Sequence, residues 1–332
     1  MVNLRISTRS YSYQDFAPLF EGPVRASLTK DSLKNLKRSH HSLLAQIDAG
    51  KTIYGVNTGF GNLSQIKIDP KDQKVLQLNL VRSHASGVGE PFELGLVRSI
   101  FVLKLLTYVK GYSGIRPALA EKIVQFLNKD ILPVIPEKGS VGASGDLAPL
   151  GHMALALIGE GHVFFQGKKM VTKTALSKAG VKPLVLHPKE GLSLVNGTQV
   201  STALGIKTLL DGDILLKTAD IAGALSVENS FASRKVFQKE IHALKGHPGQ
   251  QSAARNVYQL LDGSKIVQSH TNCGKVQDPY SFRCIPHIHG ASRDGNASAK
   301  DMINNEINSV SDNPLIMENG DVVSSGHFHA EH

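Results

Sequence analysis

The spacing of apolar residues along the chain predicts a mainly helical protein. From about residue 31 onward, apolar side chains recur at intervals of three and four positions, which places them on one face of a helix. We predict that one such helix opens at Glu90-Pro91 and ends at Gly111, because proline suits the first turn and glycine the position after the end. Its apolar face comprises Leu94, Val97, Phe101, Leu105 and Tyr108.

The same reasoning predicts the other elements. Further helices are expected to open at Asp69-Pro70 and to span residues 117–132, 248–261 and 293–310. A long helix follows Asn196-Gly197, with Asn196 as a plausible N-cap. Alternating apolar residues predict a strand at the start of the chain, and residues 161–172 predict a hairpin that turns near Gly167. Strands are therefore expected only in the first half.

Length, charge and cysteine content narrow the class of protein. A chain of 332 residues usually forms about two domains. The formal net charge of +9 suggests nucleic-acid binding, but lysine and arginine are scattered without dense runs or interleaved aromatic residues, so we expect solvated helix faces and no nucleic-acid partner. Cys273 and Cys284 alone make neither a metal site nor a disulfide scaffold. Because no signal peptide or membrane-spanning stretch is evident, we predict a cytoplasmic protein without a membrane partner.

The segment Ala143-Ser144-Gly145 suggests the most distinctive chemistry. Because Gly145 lacks a Cβ, its nitrogen can approach the Ala143 carbonyl carbon closely enough to attack it. Ring closure with loss of water, and loss of a second water from Ser144, leaves a methylidene group that is an electrophile. Such a group replaces a bound cofactor, since no ordinary side chain is a good electrophile. For the tripeptide alone, a plain Gly/Ser loop leading into a helix is the favoured alternative.

Other polar residues beside glycine-rich or polar segments are candidates for a site. Tyr54 opens the stretch YGVNTGFG, where a phenol can act as a general base, or can simply anchor a turn. His84, in RSHA, can hydrogen-bond a polar substrate ring, or can face the dipole at the end of its helix. Arg283, in QDPYSFRC, can clamp a carboxylate through two parallel hydrogen bonds, or can form a structural ion pair.

Histidine pairs suggest a competing hypothesis, a metal site. His287 and His289, and likewise His327 and His329 with His332, have the H-x-H spacing found in metal sites. Such a pair presents both rings on one side only in an extended strand. Since no nearby carboxylate or cysteine pattern completes a ligand set, we predict no native metal site.

Taken in chain order, these segments closely resemble the aromatic amino acid ammonia-lyase family. The resemblance runs from about residue 50 to the end of the chain, and within the family the members that act on L-histidine are the most similar. It rests on YGVNTGFG from Tyr54, RSHA from Arg82, GSVGASGDLAPL from Gly139, NGT from Asn196 and QDPYSFRC from Gln277.

The resemblance implies a non-oxidative deamination of L-histidine to trans-urocanate and ammonia. It implies that Ala143, Ser144 and Gly145 cyclise autocatalytically into a methylidene-imidazolone (MIO), with no external cofactor. The catalytic residues would be these three with Tyr54, which takes a β-proton, and Tyr280. The substrate carboxylate would be held by Arg283 with support from Asn196, Gln277 and Tyr280, while Phe328 lines the site and His84 selects the substrate ring.

The resemblance also implies the architecture. Residues 1–195 would form a mostly helical N-terminal domain with a few short strands that carries the electrophile, and residues 196–332 the first part of a long-helix bundle. Family members continue beyond Phe328 with a helical half that completes the bundle and a homotetramer, and that supplies a glutamate without a counterpart here. We therefore expect a truncated form, for which a folded core without activity is the main alternative. His327 stands where asparagine is common in relatives.

Overall fold

Helices account for most of the secondary structure in the computed structural model, which describes residues 2–331. This confirms the mainly helical fold predicted from the apolar spacing. The chain divides into two compact units, one made of Met1–Ile206 with Asn304–His332 and the other of Lys207–Ile303. The division into domains 1–195 and 196–332 concerns the family architecture and stays a prediction. No helix among the described residues is both long and apolar enough to cross a membrane.

The first unit is built around a helix that is buried on every side. This helix, α4, is buried from Gly95 to Val109, and Gly111 follows its end with φ +80°, as predicted. The helices of the unit are α1 (Ala17–Glu21), α2 (Lys30–Asp48), α3 (Gln73–His84), α4 (Leu94–Val109), α5 (Pro117–Asn128), α6 (Leu147–Leu157), α7 (Thr172–Ala179), α8 (Glu190–Val195) and the start of α9 (Gln199–Asn229).

Short strands lie between these helices. The parallel pair β1 (Val2–Ile6) and β2 (Val24–Leu28) includes the strand predicted at the start of the chain. The predicted hairpin is confirmed as β6 (His162–Phe165) and β7 (Lys168–Val171), with positive φ at both turn residues, Gln166 and Gly167. The other pairings are β3 (Val88–Pro91) with β5 (Pro136–Lys138), β4 (Leu132–Pro133) with β6, and β8 (Leu315–Ile316) with β9 (Val322–Val323).

The second unit is helical in its described residues and has its own apolar core. It contains most of α9 and α14 (Ile285–Ile307), together with α10 (Lys239–Ala243), α11 (Pro248–Leu260), α12 (Lys265–Ser269) and α13 (Tyr280–Arg283). Its core is a cluster of buried side chains from these helices and the connections between them, which includes Val227, Phe237, Val257 and Leu261.

Several predicted boundaries are wrong because partners distant in sequence override local signals. Glu90-Pro91 does not open a helix but belongs to β3, and the amide of Phe92 donates to the Ile135 carbonyl at 2.9 Å. The helix from residue 117 ends at Asn128 rather than at 132, since Asp130 has φ +49° and the chain then enters β4. The helix expected at Asp69-Pro70 begins at Gln73.

Two further expectations need correction. Strands also occur in the second half of the chain, as β8 and β9. The last helix begins at Ile285 and not at Arg293, so it is longer at its start than the apolar pattern suggests.

Candidate active site

Ala143-Ser144-Gly145 lies in a loop that leads into α6, and Gly145 is confined on several sides. It has φ +80°, a left-handed conformation that favours glycine. A Cβ at this position would lie 2.6 Å from the oxygen of Gly197, 2.8 Å from its nitrogen and 2.9 Å from the oxygen of Phe328. Three segments distant in sequence therefore meet at Gly145, and only glycine fits between them.

The next residue, Asp146, fastens this loop to the start of the long helix α9. Its buried carboxylate accepts hydrogen bonds from the backbone amides of Val200 and Ser201, both at 2.8 Å, and from the hydroxyls of Ser140 and Ser201. A carboxylate is stabilised at a helix N-terminus by free N–H groups and by the helix dipole. Asp146 therefore caps α9, the role that the sequence suggested for Asn196. No local sequence signal indicates this cap, because Asp146 lies more than fifty residues before the helix.

A cavity of about 780 Å³ opens beside this loop and is lined by residues of the first unit. Several of the residues singled out from the sequence share it, although they come from different segments of the chain. They are Tyr54, His84, Ser144, Asn196 and Phe328.

Tyr54 and His84 are oriented by contacts with the backbone. The Tyr54 hydroxyl accepts a hydrogen bond from the Gly61 amide at 3.4 Å, and its ring packs edge-on against Phe60. His84 Nδ1 lies 2.9 Å from the carbonyl oxygen of Leu80. Because a carbonyl oxygen can only accept, Nδ1 carries the proton, and Nε2 of the neutral ring is left as a hydrogen-bond acceptor.

Asn196 and Phe328 connect the cavity to the last described segment of the chain. The Asn196 side-chain amide donates to the carbonyl of Asn313 at 2.8 Å, and it does not cap α9. The segment around Phe328 is held against the loop that contains Ala143-Ser144-Gly145, since the Ala330 amide donates to the Gly142 carbonyl at 3.1 Å. The loop and the segment that carries Phe328 are thus joined through their main chains.

Gln277, Tyr280 and Arg283 belong to the second unit. Arg283 Nε donates to the Asp278 carbonyl at 2.9 Å, and the Tyr280 side chain is largely exposed. Gln277 and Arg283 line a cavity of about 380 Å³ within this unit. Their participation in the site around Ser144 stays a prediction.

The structure offers the metal hypothesis little support. His287 and His289 lie in α14, where residues two apart point in different directions, and His289 Nδ1 lies 2.9 Å from Asp220. His329 is 3.6 Å from the carboxylate of Glu331, and His332 lies outside the described residues. Across residues 2–331, histidine, cysteine and carboxylate side chains form no cluster of three or more that could hold a metal ion.

Comparison with known proteins identifies the family. Residues 11–332 match the aromatic amino acid lyase family. The chain is 48% identical over 296 residues to histidine ammonia-lyase of Myxococcus xanthus, covering 89% of this chain and 58% of that one. It is 44% identical over 333 residues to histidine ammonia-lyase of Vibrio cholerae, covering 100% of this chain and 65% of the relative.

Solved structures agree with the sequence comparison. Histidine ammonia-lyase from Trypanosoma cruzi matches 99% of this chain with a TM-score of 0.89 and 32% identity, over 62% of its own chain. Ergothionase from Treponema denticola matches 98% with a TM-score of 0.94 and 29% identity, over 66% of its own chain. The chain spans 58% and 65% of the length of the two curated relatives above. By sequence and by fold, this chain belongs to the aromatic amino acid lyase family.

Proposed function

We propose that the chain acts as a histidine ammonia-lyase, which deaminates L-histidine to trans-urocanate and ammonia. The observation that carries the proposal is the cavity in which Ser144, Tyr54 and His84 meet. The names of the relatives at 44–48% identity support the same substrate. As in the family, we propose a homotetramer whose sites draw residues from several subunits.

The backbone at Gly145 suits the MIO ring. The left-handed φ and the absence of space for a Cβ keep the amide nitrogen of Gly145 in a confined position after Ser144. Ala143, Ser144 and Gly145 would form the ring, which supplies an electrophile that makes the substrate's amine a better leaving group. No external cofactor is then needed for the reaction.

Tyr54 is the proposed base that takes the β-proton of the substrate. Tyr54 lines the cavity, and its hydroxyl accepts a hydrogen bond from the Gly61 amide, which orients the phenol. Proton transfer by a positioned side chain typically contributes about 10²–10⁴-fold to the rate.

The carboxylate of the substrate is assigned to Arg283, with Asn196, Gln277 and Tyr280 in support. A guanidinium matches a carboxylate through two parallel hydrogen bonds, which fix orientation as well as charge. Asn196 is already held by Asn313, so its side chain has a defined position at the cavity wall. Phe328 completes the wall beside Ser144.

His84 is the proposed selector of the imidazole ring. Because Nδ1 of His84 donates its proton to the Leu80 carbonyl, Nε2 can accept a hydrogen bond from the substrate. The neutral imidazole of L-histidine has one N–H to donate. A phenyl ring would cover the half-buried His84 and displace water from Nε2 without offering it a donor, which disfavours its binding.

Ser144→Ala tests the proposed function. We expect the parent chain to generate urocanate, measured as ultraviolet absorbance after L-histidine is added, and the variant to give only the rate without protein. The intact mass of the parent should be lower than its sequence mass by two waters, and that of the variant should not. Ser177→Ala, an exposed serine of α7, is the matched control and should behave as the parent. Unchanged turnover in Ser144→Ala would refute the proposal.

His84→Leu tests substrate selection. Loss of the acceptor should lower kcat/KM for L-histidine by about 10–100-fold relative to kcat/KM for L-phenylalanine, because a hydrogen bond to the imidazole is lost while the phenyl ring gains an apolar neighbour. His162→Leu changes an exposed histidine of β6 and should leave the ratio of the two kcat/KM values unchanged. An unaltered ratio in His84→Leu would remove this residue from selection.

A further inference from the structure

Lys104 is a lysine in the middle of α4, the helix that is buried on every side. Its side chain is 0% exposed, and most of its neighbours on the helix are apolar. An ammonium group loses its hydration in such a place, and this costs several kcal/mol unless other groups replace the lost water. The groups that Lys104 contacts must therefore replace the lost water, and they indicate the role of this side chain.

The ammonium of Lys104 is directed at a turn of the main chain. Nζ donates to the carbonyl oxygen of Asn196 and lies 3.3 Å from Oε1 of Gln199. Within residues 2–331, no carboxylate forms an ion pair with it, whereas the other fully buried lysine, Lys189, pairs with Asp312 at 2.8 Å. Lys104 thus holds a backbone carbonyl where Lys189 holds a carboxylate.

Charged groups around Lys104 only partly offset its burial. Burial lowers the pKa of Lys104 to about 7, the negative charges of Asp312 and Asp146 act to raise it, and the positive charge of Lys189 acts to lower it. The ring of Tyr108, on the same helix, lies 5.5 Å from Nζ. An ordinary apolar residue at this position would avoid the desolvation altogether.

The turn that Lys104 holds is the one against which the loop that contains Gly145 rests. Asn196, whose carbonyl accepts from Lys104, lines the cavity. Gly197 follows it, accepts the Asp146 amide at 2.8 Å, and presents its nitrogen and oxygen to Gly145. A shift of the carbonyl of Asn196 would therefore move both a wall of the cavity and the surface that confines Gly145.

We propose that Lys104 is a positioning residue that fixes the Asn196-Gly197 turn against Gly145 and so permits ring closure of Ala143-Ser144-Gly145. The inference rests on the proposed function, because it assumes that the ring forms. Lys104 acts through the turn and contacts neither the substrate nor the atoms that react.

The step that depends on Lys104 needs no other reactant. The Gly145 nitrogen bonds to the carbonyl carbon of Ala143, and the carbonyl oxygen leaves as water with the amide protons of Gly145 and Ser144, so that a C=N bond joins Ala143 to Ser144. The Ser144 hydroxyl then leaves as a second water with the proton from its Cα, which forms the methylidene double bond. No oxidant, reductant or metal enters this balance.

Lys104→Met tests the inference through the intact mass of the folded chain. We expect ring closure, followed as the loss of two waters over time after refolding, to slow by about tenfold or more, because the carbonyl of Asn196 loses its buried donor. Lys110→Met is the matched control: Lys110 directly follows α4 as its C-cap and donates to a main-chain carbonyl, that of Asn308, and this variant should close its ring as the parent does.

A second comparison separates positioning from general loss of stability. Leu119→Ala removes a buried side chain of α5 without touching the turn, and should lower the melting temperature while leaving ring closure intact. Slow closure in Lys104→Met alone supports the inference. Equal closure in Lys104→Met and the parent overturns it, as does slow closure in Leu119→Ala as well.

Two remaining results also have defined meanings. A folded parent chain that never loses two waters overturns the proposed function, and this inference with it. If Lys104→Met does not fold, Lys104→Leu, which also lacks a donor, is compared by the same criteria: slow closure supports the inference, and parental closure overturns it.

Discussion

Gly145→Ala is expected to abolish ring closure. The added Cβ would lie 2.6 Å from the Gly197 oxygen and 2.9 Å from that of Phe328, both main-chain atoms that cannot rotate away. The segments that confine Gly145 must then separate, and the Gly145 nitrogen loses its confined position. We expect no loss of two waters in the intact mass and no turnover of L-histidine. Overpacking of this kind also lowers the free energy of unfolding, by about 1–3 kcal/mol.

Gly180→Ala is the matched control for this experiment. Gly180 follows α7 with φ +65°, so alanine there meets the same backbone strain, but no atom lies within 4 Å of the added Cβ. Because alanine is strained in the left-handed conformation, this variant should have a free energy of unfolding about 1–2 kcal/mol lower than the parent. It should still close its ring. Ring closure in Gly145→Ala would show that close packing around this residue is not required.

Lys189→Met is expected to destabilise the first unit more than any surface substitution. Nζ of Lys189 lies 2.8 Å from Oδ2 of Asp312, both side chains are 0% exposed, and the Ser193 hydroxyl donates to the same oxygen at 2.6 Å. Removal of the lysine leaves a buried carboxylate without its cation, which typically costs about 3–5 kcal/mol in the free energy of unfolding. Chemical denaturation followed by circular dichroism measures this loss.

A double substitution distinguishes loss of the charge pair from loss of packing. Lys189→Met combined with Asp312→Leu removes both charges, so the penalty for an isolated carboxylate disappears. We expect the double variant to recover most of the stability that the single variant loses. If the double variant is as unstable as Lys189→Met, or less stable, then the lost polar contacts, and not the isolated carboxylate, cause most of the loss in the free energy of unfolding.

The elements that could be predicted from sequence are those with strong local signals. The helix α4, with Gly111 after its end, and the turn of the β6–β7 hairpin depend on residues a few positions apart, and both were found, although α4 is buried on every side and not on one face alone. Boundaries failed where a distant partner decides the conformation. Pro91 resembles the first residue of a helix, yet the segment pairs with β5 more than forty residues later.

In the candidate site, too, local sequence signals succeed where long-range contacts do not decide. Tyr54, His84 and Ser144 were proposed as site residues from the motifs that contain them, and the fold brings these side chains to one cavity. Asp146 and Lys104 could not be found in this way, because what distinguishes them is their hydrogen bonds to residues 196–201, far along the chain. In sequence, Lys104 is only an interruption of an apolar stretch. Arg283 and its neighbours in the second unit remain predictions.

The meeting of three segments at Gly145 has a consequence for biosynthesis. Gly197 and Phe328 are made long after Gly145, so a nascent chain that stops short of residue 328 lacks part of the surroundings that confine this glycine. Under the proposed function, such a chain keeps an ordinary serine, and the reactive group arises only once that region has been synthesised and folded. If the ring forms as proposed, unfinished polypeptides would carry no electrophile, and the ring would mark a chain that has folded around Gly145.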